Sequence, residues 1–355
     1  MILRISRNIV LIILFTVIAG FGGFLAWATF NAYKPGAIES LAFKDGGLPS
    51  AAMGDTISLI TWNIGYAGLG KEMDFFYEGG KRVRPSAEEY HHYLNGMLAS
   101  LAQAGRPDFV LIQEADRKSK RSYYTDQVLC IDSVFDGYAS VYASNYDAGF
   151  VPLPPAEPMG RVLAGLTTLS RYRFDDARRM AYPSSYTWPK QLFMLNRCCL
   201  ITRQKLAGGK ELVLINTHNS AFDDAADMRR QELALLQKTM LEEFALGNWV
   251  IVGGDWNQNP FPFDPASIND GNKAHRITPG IPPGFLPGNW KWAFDPNRAT
   301  NRDVNEPYRK GHTGTTIIDF FVLSPNIKIL EVKTLPQGFN FSDHQAVKLK
   351  ACLIR

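Results

Sequence analysis

Carboxylates, amides and imidazoles recur in this chain where apolar runs stop. Trp249-Val-Ile-Val-Gly-Gly breaks into Asp255 and Asn257, Phe109-Val-Leu-Ile112 into Gln113-Glu114, Leu212-Val-Leu-Ile215 into Asn216-Thr-His218, and Ile57-Ser-Leu-Ile-Thr-Trp62 into Asn63. Asp343-His344 opens a fifth run, and Thr316-Ile-Ile-Asp319-Phe-Phe-Val322 carries a lone carboxylate that is expensive to bury without a partner. A single Asp-x-Asn often closes a strand as an Asx turn. Repeated at several strand ends, such groups point to one shared cleft. Hard oxygen donors without a cysteine or His-x-x-x-His cluster favour Mg²⁺, with Mn²⁺ as a substitute, over zinc. His218 and His344 would move protons or stabilise developing negative charge.

The elements that must position these groups read as alternating strands and helices. The β-branched runs are buried strands, and extended geometry continued past Asp255 would put Asn257 on the same side. Gly253 and Gly254, lacking Cβ atoms, would let a ligand approach the backbone. Ser86-Ala-Glu-Glu89 is a capping box; Tyr90, Leu94, Met97, Leu98 and Leu101 share one helical face, closed by Gly105 and Pro107. Asp223 or Asp224 would cap a second helix with the face Leu233, Leu236, Met240, Leu241 and Phe244, ending at Gly247. Strand, helix, strand at this spacing implies α/β layering.

Between these elements, residues 145–160 read as a proline-rich surface loop and Phe193 to Thr202 as a strand carrying Asn196 and Arg197. Residues 257–316, rich in proline and glycine, place Trp290, Trp292 and Phe294 near Arg298 and Arg302. Long irregular segments in compact domains are usually functional, so this one is expected either to cap the substrate side or to pack its aromatics over one end of the core.

Composition excludes some classes. A net charge of +4 over 355 residues with no long basic run gives no nucleic-acid footprint, and four cysteines without metal spacing give neither a disulfide scaffold nor a zinc site. The uncharged run Ile9–Phe30 would rise about 33 Å as a helix, enough for a hydrocarbon core of ~30 Å. Arg4 and Arg7 precede it and Ala26-Trp27-Ala28 resembles a cleavage site, so a retained anchor, favoured by length, competes with a signal peptide and a secreted product. The expected division is a cytoplasmic tail (1–8), an anchor or signal segment (9–30), a Gly/Ala/Pro-rich tether (31–55) and one domain (56–355) outside the cytoplasm, expected to be monomeric.

Thr61-Trp-Asn63, Gln113-Glu114, Asn216-Thr-His218, Gly254-Asp255-Trp-Asn257, Ile318-Asp319-Phe320 and Ser342-Asp343-His344, in this order, resemble the endonuclease/exonuclease/phosphatase superfamily across residues 57–353. The resemblance implies a four-layer α/β sandwich, two packed mixed β-sheets flanked by helices as in DNase I, here preceded by a transmembrane helix. It also implies metal-dependent attack of water on a phosphate ester. Glu114 would be the principal metal ligand, helped by Asn63 and Asp343. Asp255 would orient or deprotonate water, Asn257 hold a phosphate oxygen, and His344, oriented by Asp319, stabilise the transition state. His218 would protonate the leaving oxygen or bind phosphate. Apurinic endonucleases carry tyrosine at the position of His218, so the chain is nearer the DNase I and sphingomyelinase branches; the supplementary glutamate of DNase I has no match around Gly165 to Ser170.

The reading is a membrane-tethered Mg²⁺-dependent phosphodiesterase acting on a lipid headgroup or nucleic acid, with Arg161, Arg197, Arg302 and Tyr308 as candidate substrate contacts. His91, His92, His275 and His312 are expected to be non-catalytic. The alternatives are an extracytoplasmic nuclease and a catalytically silent binding module.

Overall fold

The computed structural model describes residues 2–184, 186–206, 208–221, 227–268 and 278–354. The elements in chain order are α1 (Ile2–Phe30), β1 (Ile38–Ser40), β2 (Phe43–Lys44), β3 (Thr56–Asn63), α2 (Ala87–Gln103), β4 (Phe109–Asp116), α3 (Gln127–Val134), β5 (Ala139–Val151), β6 (Gly160–Ser170), β7 (Asp176–Ala181), β8 (Cys198–Lys205), β9 (Glu211–His218), α4 (Asp227–Ala245), β10 (Trp249–Asp255), β11 (Lys291–Ala293), β12 (Asn301–Arg302), β13 (Thr315–Thr316), β14 (Asp319–Leu323), β15 (Ile327–Thr334) and β16 (Val347–Leu353).

Two mixed seven-stranded sheets pack face to face, in the orders β1-β7-β8-β9-β10-β14-β11 and β15-β16-β3-β4-β6-β5-β2. Each has one parallel pair at its centre, β9 with β10 and β3 with β4, joined in the chain by α4 and α2 respectively. The pleat explains why these strands read as unbroken apolar runs. Leu59, Phe109, Leu111, Leu212, Leu214, Ile251, Phe321 and Leu349 face the opposing sheet. Alternate residues Ile60, Trp62, Val110 and Ile112 pack beneath α2 and α3, and Val213, Ile215, Val250, Val252 and Val322 beneath α4. Both faces are therefore buried, giving four layers.

The helix signals hold. Ser86 caps α2 and forms the reciprocal capping box with Glu89, and Gly105 beyond the helix takes φ +89°. Asp223 and Asp224 lie outside the described residues. The α1 helix runs through residues expected to be a tail, and from Arg7 to Phe30 it is long and apolar enough to cross a membrane.

Several connections differ from expectation because strand pairing, not local pattern, decides them. Residues 31–55 supply β1 and β2, the outermost strand on one side of each sheet, rather than a bare tether. Residues 145–151 continue β5 into a long hairpin with β6 instead of a surface loop. The β8 strand starts at Cys198, so Asn196 and Arg197 precede it. Between 257 and 316, Lys291–Ala293 pairs with β14, and Trp290, Trp292 and Phe294 cover the outer face of that sheet with Phe244 and Phe320. The tryptophans close the core and do not cap the cleft; His275 lies outside the described residues. The glycines before Asp255 also serve packing. A Cβ on Gly253 would sit 2.4 Å from the Phe321 ring, and one on Gly254, at φ +148°, 2.0 Å from the Thr217 carbonyl.

Candidate active site

The alternation that buries Leu59, Leu111, Leu214, Ile251 and Phe321 between the sheets carries Asn63, Gln113, Asn216, His218, Asp255 and Asp319 onto the same inner face, where the apolar filling ends. Asp255 sits in a row, with His218 its partner on parallel β9 and Asp319 its partner on antiparallel β14. Asn63 approaches from the other sheet and donates to Asp255 Oδ2 at 2.9 Å and to Glu114 Oε1 at 3.1 Å. Its own Oδ1 accepts the Gly65 N–H at 3.0 Å.

Glu114 would face α2 if β4 were regular, since Ile112 does. The β4/β6 register shifts between Ile112 and Ala115, and Glu114 adopts φ +55°, which turns it into the cleft. Asn257 is bent similarly, at φ +50°; its N–H donates to Asp255 Oδ1 at 2.9 Å and its side-chain amide to the Asn219 carbonyl at 2.8 Å. The strand thus ends in an Asx turn and points both groups into the cleft, so the two readings of Asp-x-Asn coincide. Left-handed backbone at two non-glycine residues is uncommon and costly, and it clusters where function needs it.

Ser342-Asp343-His344 is held by Trp62, whose indole donates to the His344 carbonyl at 3.1 Å, and by the Arg302 N–H on the Asp343 carbonyl at 3.0 Å. His344 Nδ1 meets Asp319 Oδ2 at 2.8 Å, and Nε2 lies 3.0 Å from Asn301 Nδ2 and 3.8 Å from both Asp255 and Asp343. Burial opposes a charge here, but Asp319, Asp343 and Asp255 outweigh it, and the imidazole is raised well above its usual range, which favours its charged form. His218, 3.5 Å from Asp255, goes the other way: burial, then Arg197 and His344, push it well below the usual range, so it is neutral. Burial pushes Asp255 up to about 6 against the pull of His344, with Asp319 adding. Asp343 is pushed up to about 7 by burial, opposed by His344, with Glu114 adding.

Two acidic sets offer themselves to a cation. Asp255, Asp319 and His344 each bring a ligand atom within 4.8 Å of the others. Asp319 Oδ2 is already engaged by His344 Nδ1, so this set suits proton handling. Glu114 and Asp343 bring hard carboxylate oxygens to the cleft, with the Asn63 amide beside them, and the Glu114 charge adds to the rise of Asp343; Gly65 leaves room, since a Cβ there would lie 2.6 Å from Asp343 Oδ1. The second set fits a divalent cation.

Of the candidate substrate contacts, only Arg197 lines the cleft, donating to the His218 carbonyl at 3.2 Å. Arg161 is paired with Asp147. Arg302 is buried and donates to the carbonyls of Leu69, Gly70 and Met73, making it a strut. Tyr308 packs on Phe339 in a separate hollow. His91, His92 and His312 are exposed. Asn301, beside His344, and Tyr66, stacked on the Arg121 guanidinium at 3.7 Å, line the cleft without any local signal in the sequence that would have marked them.

Comparison with known proteins agrees with this geometry. No curated protein matches the sequence. Among solved structures, an endonuclease/exonuclease/phosphatase from Beutenbergia cavernae DSM 12333 is 15% identical, with 84% of this chain and 72% of that one covered and a TM-score of 0.53. Humanized D. rerio TDP2 (15%, 84% and 99% covered, TM-score 0.52) and ANGEL2, a 2',3'-cyclic phosphatase (14%, 83% and 95%, TM-score 0.52), share the fold. The Endonuclease/Exonuclease/phosphatase family model matches residues 60–344, from the first core strand through His344. The chain belongs to the endonuclease/exonuclease/phosphatase family, whose members are metal-dependent phosphoester hydrolases.

Proposed function

We propose that the protein is a membrane-tethered, Mg²⁺-dependent phosphodiesterase with its catalytic domain outside the cytoplasm. The observation that carries this reading is Asp255, buried in the seam between the sheets, with the Asn63 amide on one carboxylate oxygen and both His218 and His344 within 4 Å of it. Glu114 and Asp343, helped by Asn63, would hold Mg²⁺, or Mn²⁺ in its place. When bound, the cation neutralises charge on the phosphate and favours in-line attack.

The chain's own residues do the rest. Asp255, with both oxygens fixed by hydrogen bonds and its acidity weakened by burial, orients the attacking water and takes its proton. Asn257 offers its remaining amide N–H to a phosphate oxygen. The His344 imidazolium, aligned by Asp319, faces the charge that develops on phosphorus oxygens. His218, neutral, offers a hydrogen bond to the phosphate or the leaving oxygen, and the leaving oxygen takes its proton from solvent water.

The test is hydrolysis of bis(p-nitrophenyl) phosphate by the full chain with Mg²⁺ or chelator. Asp255→Ala should lose about 10²- to 10⁴-fold in kcat; activity within tenfold of wild type ends the assignment. Protease shaving of intact cells tests topology, since a protected domain contradicts the outside placement. A nuclease is the second reading. Phe75, Tyr77 and Tyr186 line the cleft and offer faces for bases, and a similar fold, D. rerio TDP2, is described as complexed with single strand DNA product.

A further inference from the structure

The catalytic groups occupy only part of their cleft. The cleft is open to solvent, and its remaining wall includes Leu69, Phe75, Tyr77, Met159, Met194 and Leu195. Hydrolysis of a bare phosphodiester has no use for such a wall. None of these residues belongs to the inner face of the sheets; they come from the loop after β3, the turn of the β5–β6 hairpin and the segment between β7 and β8. They are backed by a satellite core of their own, in which Val83, Tyr146, Val151, Met159 and Val162 are buried with Phe75 and Leu195 packed against them. A pre-formed apolar wall beside convergent polar groups marks the place of an apolar ligand part.

A second, independent observation says where that part comes from. The same hairpin and the same segment bear on the end of α1. Phe24 stacks on Phe193 at 5.6 Å and meets Phe150 edge-on at 6.2 Å. The Trp188 indole donates to Thr29 Oγ1 at 3.2 Å, and a Cβ on Gly149 would lie 3.2 Å from the Trp27 ring. The Tyr146 hydroxyl donates to the Phe193 carbonyl at 2.8 Å and ties the two segments together. Met194 and Leu195 on the cleft side therefore directly follow a residue stacked on the helix end. Around this junction Trp27, Phe150, Leu153 and Trp188 stay 46%, 38%, 46% and 55% exposed, the amphipathic aromatic and apolar side chains that settle at a membrane surface.

We propose that the apolar wall receives the hydrocarbon-bearing part of a lipid phosphoester presented from the bilayer that α1 enters. The proposal rests on the phosphodiesterase reading above and names its substrate class. A nucleic-acid strand suits the wall less well, because only two arginines line the cleft among the described residues: Arg121, paired with Asp116, and Arg197, which donates to the His218 carbonyl. A strand needs free cations along its backbone.

A series of alkyl p-nitrophenyl phosphate diesters, methyl to hexyl and below their aggregation limits, tests this with one constant leaving group and the full-length protein. Each fully buried methylene contributes up to about fourfold, so even partial burial of the added chain should raise kcat/KM about tenfold from methyl to hexyl. Met194→Ser should flatten the hexyl-to-methyl ratio and Met194→Leu restore it. A ratio near one in the wild type overturns the lipid assignment alone. So does cleavage of a single-stranded oligonucleotide as fast as the hexyl diester. No turnover of any diester removes the phosphodiesterase reading, and the lipid assignment with it.

Discussion

Gln113 Nε2 lies 2.7 Å from Asn216 Oδ1, and this hydrogen bond joins the two sheets directly beneath the catalytic row. The pair is fully buried, and Asn216 spends its own amide on the carbonyls of Ile112 and Thr167 at 3.1 and 3.0 Å. It is a polar tie through an otherwise apolar interface, so it sets the position of one sheet against the other.

Asn216→Leu should therefore cost about 1–3 kcal/mol in chemical denaturation, because Gln113 loses its shortest hydrogen bond and the Ile112 and Thr167 carbonyls lose a buried donor. Activity should fall too, although neither residue reaches the substrate. Gln113→Leu combined with Asn216→Leu should lose less than the sum of the singles. Strict additivity would show that the two residues do not act as a tie.

The His344 and Asp319 pair should behave as one unit. Asp319→Asn and His344→Gln are each expected to lower kcat by about 10²- to 10⁴-fold, with the double variant close to the worse single. Multiplying losses in steady-state kinetics would mean that Asp319 does not act through His344.

Chelator should abolish hydrolysis and Mg²⁺ restore it. In Mg²⁺ titrations, Glu114→Gln should raise the half-saturating concentration at least about tenfold, as loss of a ligand or its neighbour does. Asp319→Asn should leave it near the wild-type value while lowering kcat. The reverse result would move the cation to the Asp255, Asp319 and His344 set.

The start of α2 offers a stability test away from the cleft. Ser86→Ala removes the cap and should cost about 1 kcal/mol. The hydrogen bonds from Arg82 and Ser86 outweigh partial burial and hold the Glu89 carboxyl down to about 2, below its unfolded 4.5. Its contribution is present above pH 4.5 and is lost as pH falls toward 2. With both side chains of the ion pair about a third exposed, that contribution is at most about 1 kcal/mol. The Tm gap between wild type and Glu89→Gln should narrow from pH 6 to pH 3; a constant gap would separate the effect from ionisation.

Much of the site was legible in one dimension because strand geometry is periodic. Once apolar runs are read as strands, parity alone places Asn63, Gln113, Asn216, His218, Asp255 and Asp319 on one face, and the caps place α2. Edge strands escaped notice because pairing, not local pattern, creates them: β15, with its charged alternation, and β1 and β2, whose partners lie far along the chain, carry no apolar run of their own.

What the sequence by itself determined, then, is the inventory of strand-end groups and the face each would take. The fold alone decided three further matters: Glu114 enters the cleft through a bulge that breaks parity, Arg161 and Arg302 are consumed by an acid and by backbone carbonyls respectively, and Asn301 reaches His344. The physical reason is range. A pleat is set by neighbours one or two residues away, whereas the partner of a long side chain or a bulged carboxylate is whatever distant backbone the packed sheets bring alongside it.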